Sequence, residues 1–338
     1  MQRGNSTRSS GGFPHTTELD SWLARATSFP RIKSSFQNIV ARDGLLFIDW
    51  QYSMQRLFAV IVVVVSIAAT SGCGGESYDL RGEVATGDVY RSTSSFTVHN
   101  GQVTVETSGE RVQGSAEVRI EETTETDILN AEDGQTTRLK VSWMSGAGNM
   151  TMKVPGQSAE ETPTPLPLLG RSVLFWQDGG GLQSRLVGSE PTEEQAVAIQ
   201  EHGHPWPEDF VPTKKVAVGS SWTHGGEHLR QWLGFSDEGF AGTMKVHFDK
   251  VVDYNNERCA LLSVQIDASG TSPMPEGPPL SVSMSGEGFV YRSLSKKIDV
   301  YSKISGDLQW KMSGVEDGLE IRLTINGPFF VEVQDTKD

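Results

Sequence analysis

The sequence predicts a mainly β protein: curved antiparallel sheet or sheets built from two similar halves, with one bridging helix. Three observations carry this. Between residues 78 and 335, apolar and polar residues alternate over long stretches rich in Thr, Val and Tyr. That is the period of strands with one buried face. Turn signals interrupt the alternation at Asn100-Gly101, Asp133-Gly134 and Asp178-Gly179-Gly180-Gly181, where positive φ angles suit tight hairpins. Finally, Ala116 to Trp143 and Thr243 to Ser269 share one layout of strand, polar turn and strand.

Residues 1–53 do not share this pattern. They open on MQRGNSTRSSGG and carry Glu18, Asp20, Asp43 and Asp49. They read as a non-native or disordered N-terminal extension, with translation starting at Met54; a genuine cytoplasmic extension is the other reading. Residues 54–72 have the layout of a secretory signal peptide. Arg56 supplies the basic start, Leu57 to Ala69 the apolar run, and Thr70-Ser71-Gly72 the small-residue exit before Cys73. The apolar run is 13 residues, against about 20 for a membrane-spanning helix. An ordinary cleaved signal, a membrane helix and a buried core helix are the competing readings.

The end of this stretch resembles the lipobox of bacterial lipoproteins, in which the Cys after a small residue is acylated and becomes the new N-terminus. It departs from that pattern at Thr70, where an aliphatic residue is usual. The resemblance implies a lipid-carrying Cys73, with 73–77 as a short tether. Processing there would remove seven basic and four acidic residues from a chain whose net charge is already −14. So acidic a product argues against nucleic acid as a partner and leaves membrane attachment to the acyl chains.

The first β half is expected over 78–190. Its strands include Phe96 to Val98, Val103 to Val105, Ala116 to Ile120 and Leu139 to Trp143. A bridging helix and loop follow at 191–206. Thr192 and Gln195 have capping-box spacing, Glu193 and Glu194 suit a helix N-terminus, and Gly203 with Pro205 ends the element. The second β half is expected over 207–335. Two Pro-rich segments, Thr162 to Leu168 and Ser272 to Leu280, fall at equivalent places in the halves, as loops or edges rather than central strands. With Cys73 acylated, Cys259 has no partner for a disulfide. Its apolar run ERCALLSVQI reads as a strand burying a small hydrophobe.

The helix, the segment PEDFVPTKKVAVGSSW and the later GEGFVYRS together resemble an uncharacterised family of bacterial envelope lipoproteins. The positions that carry the likeness are Pro212, Val216, Val218, Gly219 and Trp222. It implies an envelope location and no established activity. A looser likeness, at the level of fold, is to periplasmic lipoprotein carriers, whose curved antiparallel sheet cups an acyl chain.

Catalytic motifs are sparse. His224-Gly225-Gly226-Glu227-His228 spells H-x-x-E-H, an inverted zinc-peptidase pattern. The two glycines oppose the helix that pattern needs, so the string reads as a hairpin turn. His202 and His204, with Glu208 or Asp209, are a possible metal set on a loop. Asp178 lacks the spacing of a calcium loop. Glu121, Glu122, Glu125 and Asp127 read as a solvated strand face. The remaining candidates are aromatic. Trp143, Trp176, Trp222 and Trp310 fall in or beside strands, as do Trp232, Phe175, Phe289 and Tyr291. They read either as core or, for the first four, as the lining of an apolar ligand groove.

The expected function is a non-catalytic, lipid-anchored cell-envelope protein facing the periplasm or exterior. It needs no cofactor and binds a hydrophobic ligand or an envelope protein. A structural scaffold is the alternative; an unrecognised hydrolase or metal-binding protein stands behind it.

Overall fold

The computed structural model describes residues 76–82, 84–107, 110–153, 159–164, 166–178, 181–202, 212–226, 229–230, 240–272, 280–316 and 319–337. The extension, signal stretch, Cys73, His204, Glu208, Asp209, Glu227, His228, Trp232 and residues 273–279 lie outside them.

The alternating pattern folds as strands much longer than the usual five or six residues. After a short β1 (Ser77–Tyr78) come β2 (Val89–Thr107), β3 (Glu110–Glu132), β4 (Gln135–Lys153), β5 (Glu160–Pro163), β6 (Ser172–Asp178) and β7 (Gly181–Leu186). Helix α1 (Glu193–Glu201) leads to β8 (Val216–Ala217), β9 (Ser221–Gly225), β10 (Ala241–Tyr254), β11 (Glu257–Ser272), β12 (Leu280–Ser293), β13 (Asp299–Glu316) and β14 (Leu319–Lys337).

Twelve strands form one open antiparallel sheet in the order β7-β6-β4-β3-β2-β14-β13-β12-β11-β10-β9, with β5 on β4. The first half runs outward from β2 to β7, and α1 follows it in the chain. The second half starts at the opposite edge, β9, and runs back to the centre, where β14 pairs with β2. The two runs with a shared sequence layout each form a hairpin, β3–β4 and β10–β11. Bulges or register irregularities interrupt β2, β3, β4, β10, β13 and β14. Each adds local bend and twist, and the sheet curves without closing.

One face of this sheet is predominantly apolar across its width. Cross-strand partners place Trp143, Met150, Ile120, Phe96, Phe329, Trp310, Val282, Leu262, Phe248 and Trp222 on it, all buried. Each fully buried large side chain contributes about 1.5–3 kcal/mol. Glycines set the fit. Gly286 and Gly306 are cross-strand partners on this face, and a Cβ at Gly286 would meet Phe329 Cζ at 3.0 Å. The Phe329 ring thus covers ground that two missing side chains leave free.

Turn chemistry explains most connections. Asp133 and Gly134 have φ of 51° and 75°, the double positive φ of a type I′ hairpin, as the sequence predicts. Asn255 and Asn256, at 49° and 63°, make the matching turn between β10 and β11. Asn100-Gly101 is different from expectation. Asn100 has φ 50°, but β2 continues through it as a bulge facing a second irregularity on β14. The chain bends there and does not reverse.

Helix α1 carries the expected capping box. Gln195 N donates to Thr192 Oγ1 at 3.2 Å, and Thr192 N donates to Gln195 Oε1 at 3.1 Å. Ala198 and Ile199 pack into a cluster with Val84, Ile128, Leu139, Trp143, Leu168, Val173, Phe175 and Leu186.

Before β2 the chain acts as a strap across one end of the sheet. β1 pairs with β8, and Tyr78 meets Phe248 edge-on at 5.6 Å. Leu80 O accepts from Arg292 Nε at 2.8 Å, and Val84 joins the cluster around Ile128. Thr86 Oγ1 then accepts from Ala131 N at 3.0 Å, and Gly87 N donates to Ile128 O at 2.8 Å. Arg292 fixes the middle: its guanidinium also donates to Asp299 Oδ1 at 2.6 Å and Lys297 O at 2.7 Å.

Candidate functional site

The four tryptophans of the expected groove do not form one lining. Trp143, Trp222 and Trp310 share the inner face but stand on β4, β9 and β13, well apart in the sheet. Four strand spacings, about 19 Å, separate β4 from β13. Trp176 pairs with Arg138, while its neighbour Phe175 pairs with buried Leu139. Alternation therefore puts Trp176 on the opposite face. Of the four, Trp310 comes nearest to lining an apolar surface; its ring lies 6.4 Å from Phe96.

Beyond Trp310 the inner face continues toward the end away from the strap, but less covered. Met312, Leu323, Val105 and Val112 occupy that continuation, each half-buried, and are aligned by pairing across β13, β14, β2 and β3. Val315, near the β13 tip, is 76% exposed and alternates to the opposite, outer face. Among the described residues, the inner face is strapped at one end and becomes half-buried toward the other.

The inner face is not wholly apolar. Glu122, expected on a solvated face, follows Ala116, Val118 and Ile120 in the same parity and lies inward, opposite Ser94 and Gly146. Glu121 stands on the outer face as expected, as do Glu125, which meets Arg91 at 2.7 Å, and Asp127, paired with Lys140. Burial pushes the Glu122 carboxyl up to about 7. Asp335, paired in register with Ser92, is also pushed up to about 7. Burial is the main cause; the Asp299 charge adds to it, while Ser92 and Arg292 oppose it. Asp335 Oδ1 and Ser92 Oγ are both buried, and the Ser92 side chain is the hydrogen-bonding neighbour that opposes the rise. Sequence reading missed Asp335 and misplaced Glu122, although unbroken alternation from Ala116 would have located the latter.

The metal candidates resolve otherwise. His202 caps α1 and packs its ring on Trp143 at 4.9 Å and Phe175 at 5.7 Å. Burial lowers its pKa to about 4, which keeps it neutral as part of an aromatic cluster. His224 is a buried residue of β9 opposite Met244. Gly225 still belongs to that strand, and Gly226 and residues 229–230 are helical. Trp222 and His224 alternate inward and Gly225 closes β9; Glu227 and His228, the rest of the string, lie outside the described residues. Among the described residues no group of three or more His, Cys, Asp or Glu is placed to hold a metal. Asp178 is exposed at the end of β6. Cys259 is fully buried, and its thiol is pushed up to about 11, chiefly by desolvation and then by Glu257 and Asp253.

Two further features lie off the inner face. Tyr254 and Tyr291 stack at 4.2 Å and 8° on the opposite face, with Phe289 and Tyr301 beside them. Burial, and then Glu332, push the Tyr301 phenol up to about 12. A cleft of about 720 Å³ lies between edge strand β7 and α1, lined by Phe175, Leu182, Leu186, Ala196 and Ile199 with Arg185 and Glu190. No described helix is long and apolar enough to cross a membrane.

The chain matches no protein-family profile and no curated protein. Among solved structures, a lipovitellin described for its lipid–protein interactions aligns over 75% of this chain at 9% identity and TM-score 0.36. The chain spans only 25% of that protein's length. An outer membrane channel from Pseudomonas putida F1 aligns over 76% of this chain and 98% of its own, at 7% identity and TM-score 0.23. A DUF1329 family protein from Desulfovibrio piger aligns over 74% and 84%, at 5% identity and TM-score 0.14. Likenesses at these scores carry no argument about function. The family resemblance read from Pro212 to Trp222 rests on those residues alone.

Proposed function

We propose that this chain is an exported protein held at the cell envelope by acylated Cys73, and that it binds a hydrophobic ligand along the inner face of its sheet without catalysing a reaction. The observation that supports the binding role is the predominantly apolar inner face. It is strapped at one end and runs at the other into the half-buried row Val105, Val112, Met312 and Leu323. Ligand sites are concave and mostly apolar, with few polar groups, and this surface has that character. The anchor rests on the sequence from Met54 to Cys73. Four residues from Cys73 reach Ser77, where β1 begins, a span of about 14 Å. On this reading the β1–β8 side of the sheet rests against the membrane.

Native mass spectrometry of the full chain, released from its membrane in mild detergent, tests the binding role. An added mass that matches a lipid and leaves on denaturation is the expected result. A clean apo mass moves the weight to a scaffolding role. Palmitate labelling of the wild type and of Cys73→Ser tests the anchor: label that survives the substitution refutes acylation at that residue.

A further inference from the structure

We propose that the free edge of β7 receives an extended segment of a partner protein as an added strand, its apolar side chains facing inward and an acidic one set opposite Arg185. This site is separate from the inner face of the central strands and from the lipid anchor.

The edge is open in its backbone. β7 pairs with β6 on one side, and among the described residues no strand lies on its other side. Directly after β7, Val187 donates its N–H to Ser172 O at 2.8 Å. Antiparallel neighbours bond at alternate positions, so Gln183 and Arg185 also turn their N–H and C=O groups toward β6. Those of Leu182, Ser184 and Leu186 point past the sheet, and no group among the described residues takes them up. The six residues of β7 offer about 20 Å of template.

A cavity lies where the side chains of an added strand would go. Leu182, Ser184 and Leu186 stand opposite Gln177, Phe175 and Val173, of which Phe175 and Val173 are buried on the inner face. Opposite residues of an antiparallel pair share a face. A strand on β7 therefore turns inward at its positions opposite Leu182, Ser184 and Leu186. There lies the cleft of about 720 Å³, bounded by Leu182, Leu186, Phe175, Ala196 and Ile199. Leu182 is half-buried and Ser184 exposed, so the cleft is reached from the edge. Its α1 wall is fixed by the capping box and by Ala198 and Ile199 in the core cluster. Strand addition draws affinity from such main-chain bonds and selectivity from pockets for alternate side chains.

Charge sets the outward positions. Arg185 stands opposite Leu174 and alternates to the outer face. It is exposed and has no ion pair among the described residues, Glu190 on the cleft rim included. The chain's net charge of −14 opposes an acidic partner at long range. At about 0.15 M salt that field is screened beyond about 8 Å, which leaves the contact itself to Arg185.

Fluorescence anisotropy with the purified full chain at pH 7 provides the test. The probes are a labelled peptide of alternating valine and glutamate, matched to β7 in length, and its counterpart with lysine for glutamate. The glutamate peptide is expected to bind about fivefold more tightly, the scale of one exposed ion pair, and to slow amide exchange at Leu182, Ser184 and Leu186. Arg185→Glu should invert the order of the two peptides. Ser184→Pro removes a donor that the sheet itself does not use, a place where an edge strand tolerates proline, and should abolish binding of both. Where that variant does not fold, the exchange rates of the wild type decide. Equal binding that Arg185→Glu leaves unchanged overturns the acidic assignment. Binding that survives Ser184→Pro or leaves those amides exchanging freely overturns the added strand, as does failure of both peptides to bind. A dimer of the chain that Ser184→Pro dissolves, with no peptide bound, gives the edge to a second copy and overturns the partner. The anchor at Cys73 and a lipid on the inner face stand or fall separately.

Discussion

The two ends of the large sheet begin from the same alternating sequence and finish differently. At one end Ser77 to Asp88 crosses the strands, Arg292 holds three acceptors, and α1 seals the flank with Ala198 and Ile199. At the other end the same strands run on beyond Trp310, and their inward residues become half-buried. An alternating pattern specifies which side chains face inward, but it does not specify what covers them. Cover comes from connecting segments, and among the described residues these lie at the strapped end.

The largest test of this contrast is Arg292→Ala. It removes three hydrogen bonds and leaves Asp299, whose side chain is 12% exposed, without its cation. Breaking such a buried pair costs about 3–5 kcal/mol, to be read from the urea midpoint. A loss under about 1 kcal/mol would show that the strap is held by other contacts.

Smaller effects follow from two groups that titrate in opposite senses. The folded pKa of Glu122 is raised to about 7 from 4.5. Its neutral form is favoured, so its contribution to stability is present below pH 4.5 and lost as pH rises through 7. His202 is lowered to about 4 from 6.5; its contribution is present above pH 6.5 and lost as pH falls through 4. Glu122→Gln should flatten the decline of stability between pH 5 and 8, and His202→Phe the decline between pH 6.5 and 4. Urea unfolding across pH checks both. Unchanged slopes would mean that these groups are solvated. The smallest effect belongs to Val315→Thr, on the outer face near the β13 tip, which should stay within about 0.5 kcal/mol of wild type. A larger loss would show that this outer position is packed after all.

What the sequence made legible follows the range of the interactions. The capping box of Thr192 and Gln195 and the Asp133-Gly134 turn are local chemistry, and both stand where the residues indicate. The runs Ala116 to Trp143 and Thr243 to Ser269 each fold as a hairpin, because side-chain period and turn composition are also local. Asn100-Gly101 misleads for a physical reason: positive φ serves a bulge as well as a reversal, and pairing with a distant strand selects between them. The strap was invisible because its partners, such as Arg292 for Leu80, lie 212 residues away. Of the candidate site, buried Trp310 was legible as an aromatic in a strand. Trp176 was not separable from it, since facing depends on the register with Leu139 and Arg138. Ser92 and Asp335 meet across a pairing no local pattern announces.

The seam between β2 and β14 also sets a timetable. Lys337 and Asp88, which meet beside it, are 249 positions apart. Until β14 has been synthesised, one side of β2 exposes a long row of unpaired amides and carbonyls, a template for wrong pairing. Contacts so distant in sequence also slow folding. The central seam is thus the last part of the sheet that can form, and the emerging chain depends until then on being kept from its neighbours.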